Sequence, residues 1–165
     1  MEIVRKRKDF KSLSKVSARA ELQDIYLLSC NVSRTIDALS FDQVGAEINF
    51  AGSLLAEDDE FFTAQVNLTV LGHPKDDVDD VVINIDAAYN LVYRLGDKQS
   101  LTSDDLVTFC EMNAVYNIWP FFRELVQNMA NRMDIPSLML PLFKIRPEKL
   151  KKQETPVPEG KKEAT

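Results

Sequence analysis

The stretch that decides the fold is EFFTAQVNLTVLG, Glu60 to Gly72. Phe62, Ala64, Val66, Leu68 and Val70 alternate with Thr63, Gln65, Asn67 and Thr69. Period two sends the apolar set to one face and the polar set to the other, the pattern of a half-buried antiparallel strand. Three more runs resemble it. ARAELQDIYLLSC (18–30) alternates imperfectly, VGAEINFAGSLLA (44–56) follows, and DVVINIDAAYNLVYRL (80–95) puts Val81, Ile83 and Ile85 on one face. The links EDDE (57–60) and GHPKDDVDD (72–80) are short and charged, as hairpin loops are. This reading places His73 in a loop.

After residue 100 the period changes. SDDLVTFCEMNAVYNIW opens on Ser103, a good N-cap, and Asp104 and Asp105 suit the positive end of a helix dipole. Pro120 lacks an N–H and clashes with the carbonyl four residues back. A second helix capped by Asn117 would hold it in the tolerant first turn. That helix carries Phe122, Val126, Met129 and Met133 on one face, with Arg123, Glu124, Gln127, Asn128 and Asn131 opposite. It should end before Ile135-Pro136, because the residue before a proline resists the helix. Four strands followed by helix make an α+β order.

The charge is uneven. Residues 1–19 hold seven Lys/Arg against two Asp/Glu, and residues 144–165 hold seven against four. The body between them holds six against twenty, although the net charge is only −6. An acidic body repels nucleic acid and attracts basic partners. Residues 1–17 read as a disordered basic segment, 18–147 as the folded domain, and 148–165 as a disordered Lys/Glu/Pro-rich tail. No apolar run approaches the roughly 18 residues of a membrane span, and the first residues lack the apolar core of a secretory signal. Cys30 and Cys110 are no disulfide framework; they fit reduced thiols in a cytoplasmic protein.

Little here can do chemistry. His73 is the only histidine, no Cys/His cluster has metal spacing, and the five glycines are not grouped into a phosphate loop. KDDVDD lacks the ligand pattern of a calcium loop. The expectation is a non-enzyme without a cofactor or metal. What stands out instead is apolar surface in YNIWPFFRELVQNMANRMDIPSLMLPLF, Tyr116 to Phe143. Phe121 and Phe122 are adjacent, so one helix face cannot hold both. A small sheet and one or two helices cannot bury every large side chain in this stretch. Met112, Met129, Met133 and Met139 bring flexible thioethers, which suit surfaces that accept many apolar shapes.

The motifs resemble a known family. WPFFR, Trp119 to Arg123, resembles the Phe-Pro-Tyr-Ala-Arg segment of the SecB export chaperones, and RMDIPSLMLP, Arg132 to Pro141, resembles their Arg-Gly-x-Phe-Pro-x-Leu-x-Leu-x-Pro. DIYLL, after ARAEL, stands where their first strand carries Asp-Ile-x-Phe. The resemblance spans Val16 to Pro147. It is greater still to the SecB-like chaperones of toxin–antitoxin systems, whose start is similar to VSARAELQDIYLL. The chain departs from the pattern at Met133, where the family has glycine. No amphipathic pattern after Arg146 matches the family's second helix.

The resemblance implies a four-stranded antiparallel sheet with a helix on one face, assembled as a dimer of dimers. It also implies an activity without ATP: holding unfolded or nascent polypeptides, either preproteins for export or an antitoxin, along apolar grooves. The groove residues it implies are Ile36, Leu39 and Phe41 in the segment 31–41, with Trp119, Phe122, Ile135, Leu138 and Leu140. On the acidic sheet face, Asp24 and either Asp86 or Asn84 would meet the SecA motor. The competing reading is an adaptor domain that holds no client.

Overall fold

The computed structural model describes residues 2–5, 7–35, 44–74, 77, 79–98, 100–135 and 138–147. Its elements are β1 (Glu2–Arg5), α1 (Arg7–Ser17), β2 (Ala20–Arg34), β3 (Val44–Glu57), β4 (Phe61–Pro74), β5 (Ile83–Leu95), α2 (Ser103–Phe109), a π turn (Cys110–Ala114), α3 (Val115–Arg132) and β6 (Lys144–Pro147). Strands β2 to β5 form one antiparallel sheet in the order β2-β5-β4-β3. The expected fold, four antiparallel strands followed by helix, is therefore present. β2 and β3 are consecutive in sequence yet form opposite edges.

The alternation in β4 is realised in burial. Phe62, Ala64, Val66, Leu68 and Val70 are buried under the helices, as are Ile83, Ile85, Leu91 and Tyr93 of β5. Phe62 stacks on Tyr93 with ring centroids 4.8 Å apart, and Phe109 meets both edge-on. The imperfect alternation of β2 has a cause. Two bulges, between Leu22 and Asp24 and between Leu27 and Ser29, each insert a residue. They bring Leu22, Ile25, Leu27, Cys30 and Val32 opposite the helix-side residues of β5. The first hairpin is tied by Asp58, whose Oδ1 accepts from the backbone N–H groups of Glu60 (2.8 Å) and Phe61 (2.7 Å). β4 runs on to Pro74, so His73 is in the strand and not in a loop, with its Nδ1 3.0 Å from the Pro74 carbonyl oxygen.

The helix differs from expectation at three points. Its N-cap is Thr102, not Ser103: the Thr102 hydroxyl accepts from Asp105 N–H, and Asp105 reaches back to Thr102 N–H, a capping box. Asn117 is no cap; it lies inside α3, and its Nδ2 donates to Tyr93 Oη at 2.9 Å. Pro120 sits within α3 without ending it. The proline and Tyr116 are both exposed, so solvent can satisfy the Tyr116 carbonyl that Pro120 cannot meet. At the far end, Asp134 and Ile135 donate N–H to the carbonyls of Asn131 and Ala130, and Asp134 takes the left-handed φ of 53°. This is a Schellman closure with an aspartate where glycine is commonest. Met133 needs no glycine, because the left-handed position falls on its neighbour.

The π turn meets the sheet at Gly52 of β3. A Cβ there would collide with the Cys110 carbonyl, so glycine is required for the approach.

The expectation that residues 1–17 are disordered is corrected. β1 pairs in parallel with β6, matching Glu2 with Lys144 and Arg5 with Pro147. Phe10, Leu13 and Val16, spaced by three, give α1 an apolar stripe, and Val16 is fully buried. Lys15 Nζ lies 3.5 Å from Asp105 Oδ2, and Ser12 also bonds that carboxylate, fastening α1 to the start of α2. The expected tail, 148–165, lies outside the described residues.

Candidate functional site

The buried stripe of α3 runs through Val115, Ile118, Trp119, Phe122, Val126 and Ala130. That stripe leaves two flanks. On one flank the chain returns after the helix and is fixed at three points. Trp119 Nε1 donates to the Pro141 carbonyl at 2.9 Å. Phe143 is buried, its ring centroid 5.1 Å from that of Trp119 and 5.4 Å from that of Phe50 on β3. Leu140 is buried against the same core. Just before these anchors Met139 is 81% exposed, and between the last two Leu142 is 64% exposed.

An open cleft of about 290 Å³ lies along this flank, lined by Pro120, Arg123, Glu124, Gln127, Leu138, Met139 and Leu140. Tyr116, also exposed, lies beside its end, 6.4 Å from Phe143 centroid to centroid. Exposed apolar side chains thus stand on an anchored loop beside a cleft whose wall mixes Arg123, Glu124 and Gln127 with Pro120, Leu138, Met139 and Leu140.

The sequence-predicted groove residues divide accordingly. Leu138 is half-buried and lines the cleft. Leu140 is buried and also lines the cleft, whereas Trp119, Phe122 and Ile135 are buried and are not among its lining residues. Trp119 and Phe122 lie on the stripe turned to the sheet; Ile135 folds under the Schellman closure; Leu140 anchors the loop. Ile36, Leu39 and Phe41 lie outside the described residues. Met139, Leu142, Tyr116 and Phe121 are the exposed residues that the sequence reading did not select. The signal was the adjacency of Phe121 and Phe122: with Phe122 buried, Phe121 must face out.

β2 exposes large side chains on both its faces, Leu22 and Leu27 toward the helix side and Tyr26 toward the other. Leu22, Tyr26, Leu27 and Leu28 are all exposed, Leu28 by 54%. This edge strand extends beyond the cover of the helices, and its outer edge has no strand beside it among the described residues.

Asp24 and Asp86 both belong to the sheet face turned away from the helices. They are not brought together: Asp24 pairs with Val92 and Asp86 with Asn31, which places them roughly 20 Å apart at strand rise. Asp24 is exposed, and its Oδ1 accepts from Ile25 N–H at 2.8 Å. Asp86 is half-buried and already engaged, accepting from Thr69 Oγ1 (2.7 Å) and Asn84 Nδ2 (2.6 Å). A part-buried chain of hydrogen bonds continues on this face, from Gln65 to Asn90 to the Tyr26 hydroxyl.

Cys110 is buried and Cys30 is exposed. Burial pushes the Cys110 thiol up to about 12, and burial and Asp86 raise that of Cys30. Burial likewise raises Tyr89 to about 12. Among the described residues no His/Cys/Asp/Glu group could hold a metal ion, and no helix is long and apolar enough to cross a membrane.

No family model matches the chain, and no curated protein matches it in sequence. Its structure is similar to the SecB-like chaperone Rv1957 of Mycobacterium tuberculosis, solved in complex with a ChAD peptide from the Rv1956 HigA1 antitoxin. The TM-score is 0.70 at 16% identity, covering 82% of this chain and 97% of that one. The chain thus has the SecB-like fold. A protein of unknown function from Streptococcus agalactiae matches at TM-score 0.39 and 10% identity, covering 74% of this chain and 97% of that one.

Proposed function

We propose that this chain is an ATP-independent chaperone, not an enzyme, that holds unfolded or nascent polypeptide along the α3 cleft. One observation carries the reading. The loop 138–143 is tied down at Leu140, Pro141 and Phe143 while Met139 and Leu142 stay in solvent. Exposing two large apolar side chains costs free energy unless something covers them, and the anchored backbone lowers the ordering cost of binding. The SecB-like fold supports the same activity.

The client class is either preproteins bound for export or an antitoxin. The similar chaperone bound to an antitoxin peptide favours the second. In the first, Asp24 and Asp86 on the outer sheet face would meet a basic partner such as SecA. We further propose a homotetramer in the cytoplasm. The open β2 edge with Leu22, Leu27 and Leu28 would be covered by another copy, a surface larger than one chain can hide.

The test is to dilute a denatured client into buffer with and without the full chain and follow light scattering. Suppression without nucleotide, at about one assembly per client, is the expected result. Undiminished aggregation at tenfold excess would overturn the holding role and favour an adaptor domain.

A further inference from the structure

β1 and β6 stand apart from the main sheet. They pair in parallel with each other, Glu2 beside Lys144 and Arg5 beside Pro147, and among the described residues neither joins another strand. A two-stranded parallel ribbon of four residues is marginal by itself. Parallel pairs are slightly weaker per residue than antiparallel ones, and independent stability takes a third strand or a packed face. The two strands differ in what else holds them. β6 follows the buried Phe143, its own Ile145 packs against the core, and Trp119 grips the loop before it at Pro141. α1, one residue beyond β1, has anchors of its own: Val16 is fully buried, Ser12 and Lys15 meet the Asp105 carboxylate, and Gly96 N–H donates to the Arg19 carbonyl at 2.9 Å just past the helix. β1 can therefore leave β6 without freeing the loop or α1. Its departure opens the backbone edge of β6. Lys144, the first residue of that edge, stands two residues after the exposed Leu142, about 7 Å along an extended chain.

From this placement we infer that β1 is a built-in competitor of the client. Residues 2–5 occupy the edge of β6 that an extended client segment takes as it continues from Leu142, and binding exchanges one strand for the other. This rests on the holding role proposed above. Ladder bonds use the backbone alone, so the incoming strand is accepted whatever side chains it carries, as the holding of unfolded polypeptide requires. The loop keeps its anchors during the exchange, so the apolar contacts to Met139 and Leu142 form on the same fixed surface before and after it. A segment that masks its own binding edge lowers the apparent affinity by the fraction of chains in which the edge is open. With the ribbon closed about ten to one, removing β1 tightens client binding about tenfold.

The test follows a labelled peptide with a core of alternating leucine and serine by fluorescence anisotropy. Three forms are compared with the parent chain. One lacks residues 2–5. The second carries Ile3→Pro and Val4→Pro together; proline has no N–H to give a ladder, and adjacent positions cover both edges of the strand. The third carries Glu2→Cys and Lys144→Cys, neighbours in the ribbon, in a Cys30→Ser background, so that oxidation locks β1 in place. The first two should bind the peptide about tenfold tighter than the parent at an unchanged melting temperature, and the oxidised lock at least about threefold more weakly than its reduced form. In the complex with the parent chain, amides of residues 2–5 should lose protection from hydrogen exchange while those of 144–146 keep theirs. Affinity unchanged within twofold or lowered in the first two forms, a lowered melting temperature there, a lock that binds equally well oxidised and reduced, or residues 2–5 still protected in the complex each overturns the inference. If the parent binds the peptide and any of these is seen, only this inference fails. If neither the parent nor the form lacking residues 2–5 binds it, the holding role fails as well.

Discussion

Replacing Met139 and Leu142 together by serine separates client binding from stability. Met139 is 81% exposed and Leu142 64% exposed, surface that a client could cover. Fully burying such a side chain is favourable by about 1.5–3 kcal/mol, so the two exposed portions together offer roughly 3 kcal/mol to a client that covers them completely. A client that covers about half of that surface would lose roughly 1.5 kcal/mol, or slightly over tenfold in affinity. The fold should be almost untouched, because surface changes away from packed contacts usually stay within about 0.5 kcal/mol. Leu140→Ser is the control. That side chain is 4% exposed, and emptying a buried leucine site costs on the order of 2–5 kcal/mol. The assay pairs anisotropy with a labelled client peptide against thermal melting. Weakened binding at an unchanged melting temperature in the double variant, with a lowered melting temperature in the control, is the expected pair of results. If the double variant binds within twofold of the parent, the loop is not the client surface.

Three further outcomes follow from the packing. Gly52→Val should lower stability by about 1–3 kcal/mol in a urea melt, since the new side chain meets the Cys110 carbonyl with no room to yield. Trp119→Phe removes the donor to Pro141 but keeps an aromatic ring; a loss of about 1 kcal/mol and faster amide exchange in residues 138–143 are expected. Asp105 is held below its ordinary 3.8 chiefly by the Ser12 hydroxyl, then by Thr102 and Lys15, against the opposing effect of burial. A lowered folded pKa means that its contribution is present above the unfolded value and lost as pH falls from about 4 through the lowered one. The melting temperature should therefore drop between pH 5 and 3, and by less in Asp105→Asn.

The sheet was legible because burial on one face imposes period two, and β4 shows it almost without interruption. β2 was only partly legible, since two bulges shift its parity and scatter Leu22, Ile25 and Leu27 across an apparently broken pattern. The N-terminal helix escaped notice because Phe10, Leu13 and Val16 are set among charged and small polar residues, and only contact with α2 makes that stripe worth burying. In the loop, proline punctuation correctly marked a segment outside the main sheet, but side-chain direction depends on the anchors. Leu140 turns inward and Met139 outward because Trp119 grips Pro141 and Phe143 packs on Phe50, contacts that link residues 22 and 93 positions apart.

The π turn at Cys110–Ala114 holds one more residue than an α-helix would, and so sets the phase of everything after it. α2 buries Leu106, Phe109 and then Cys110; carried on at unbroken α-helical spacing, that stripe would pass through Asn113, Asn117 and Pro120 or Phe121. The stripe actually buried advances by one, to Ala114, Ile118 and Phe122. Each residue turns a helix by about 100°, so a single insertion within 110–114 would rotate α3 by more than a quarter turn. Asn117 and Phe121 would then point at the sheet, Phe122 would swing into solvent, and the grip of Trp119 on Pro141 would be lost. The slip of one residue works like a gear offset between two halves of one helix. Single-residue insertions there should be far less tolerated than substitutions at the same positions, whereas a single deletion that turns the π turn into α-helix keeps the buried stripe in phase.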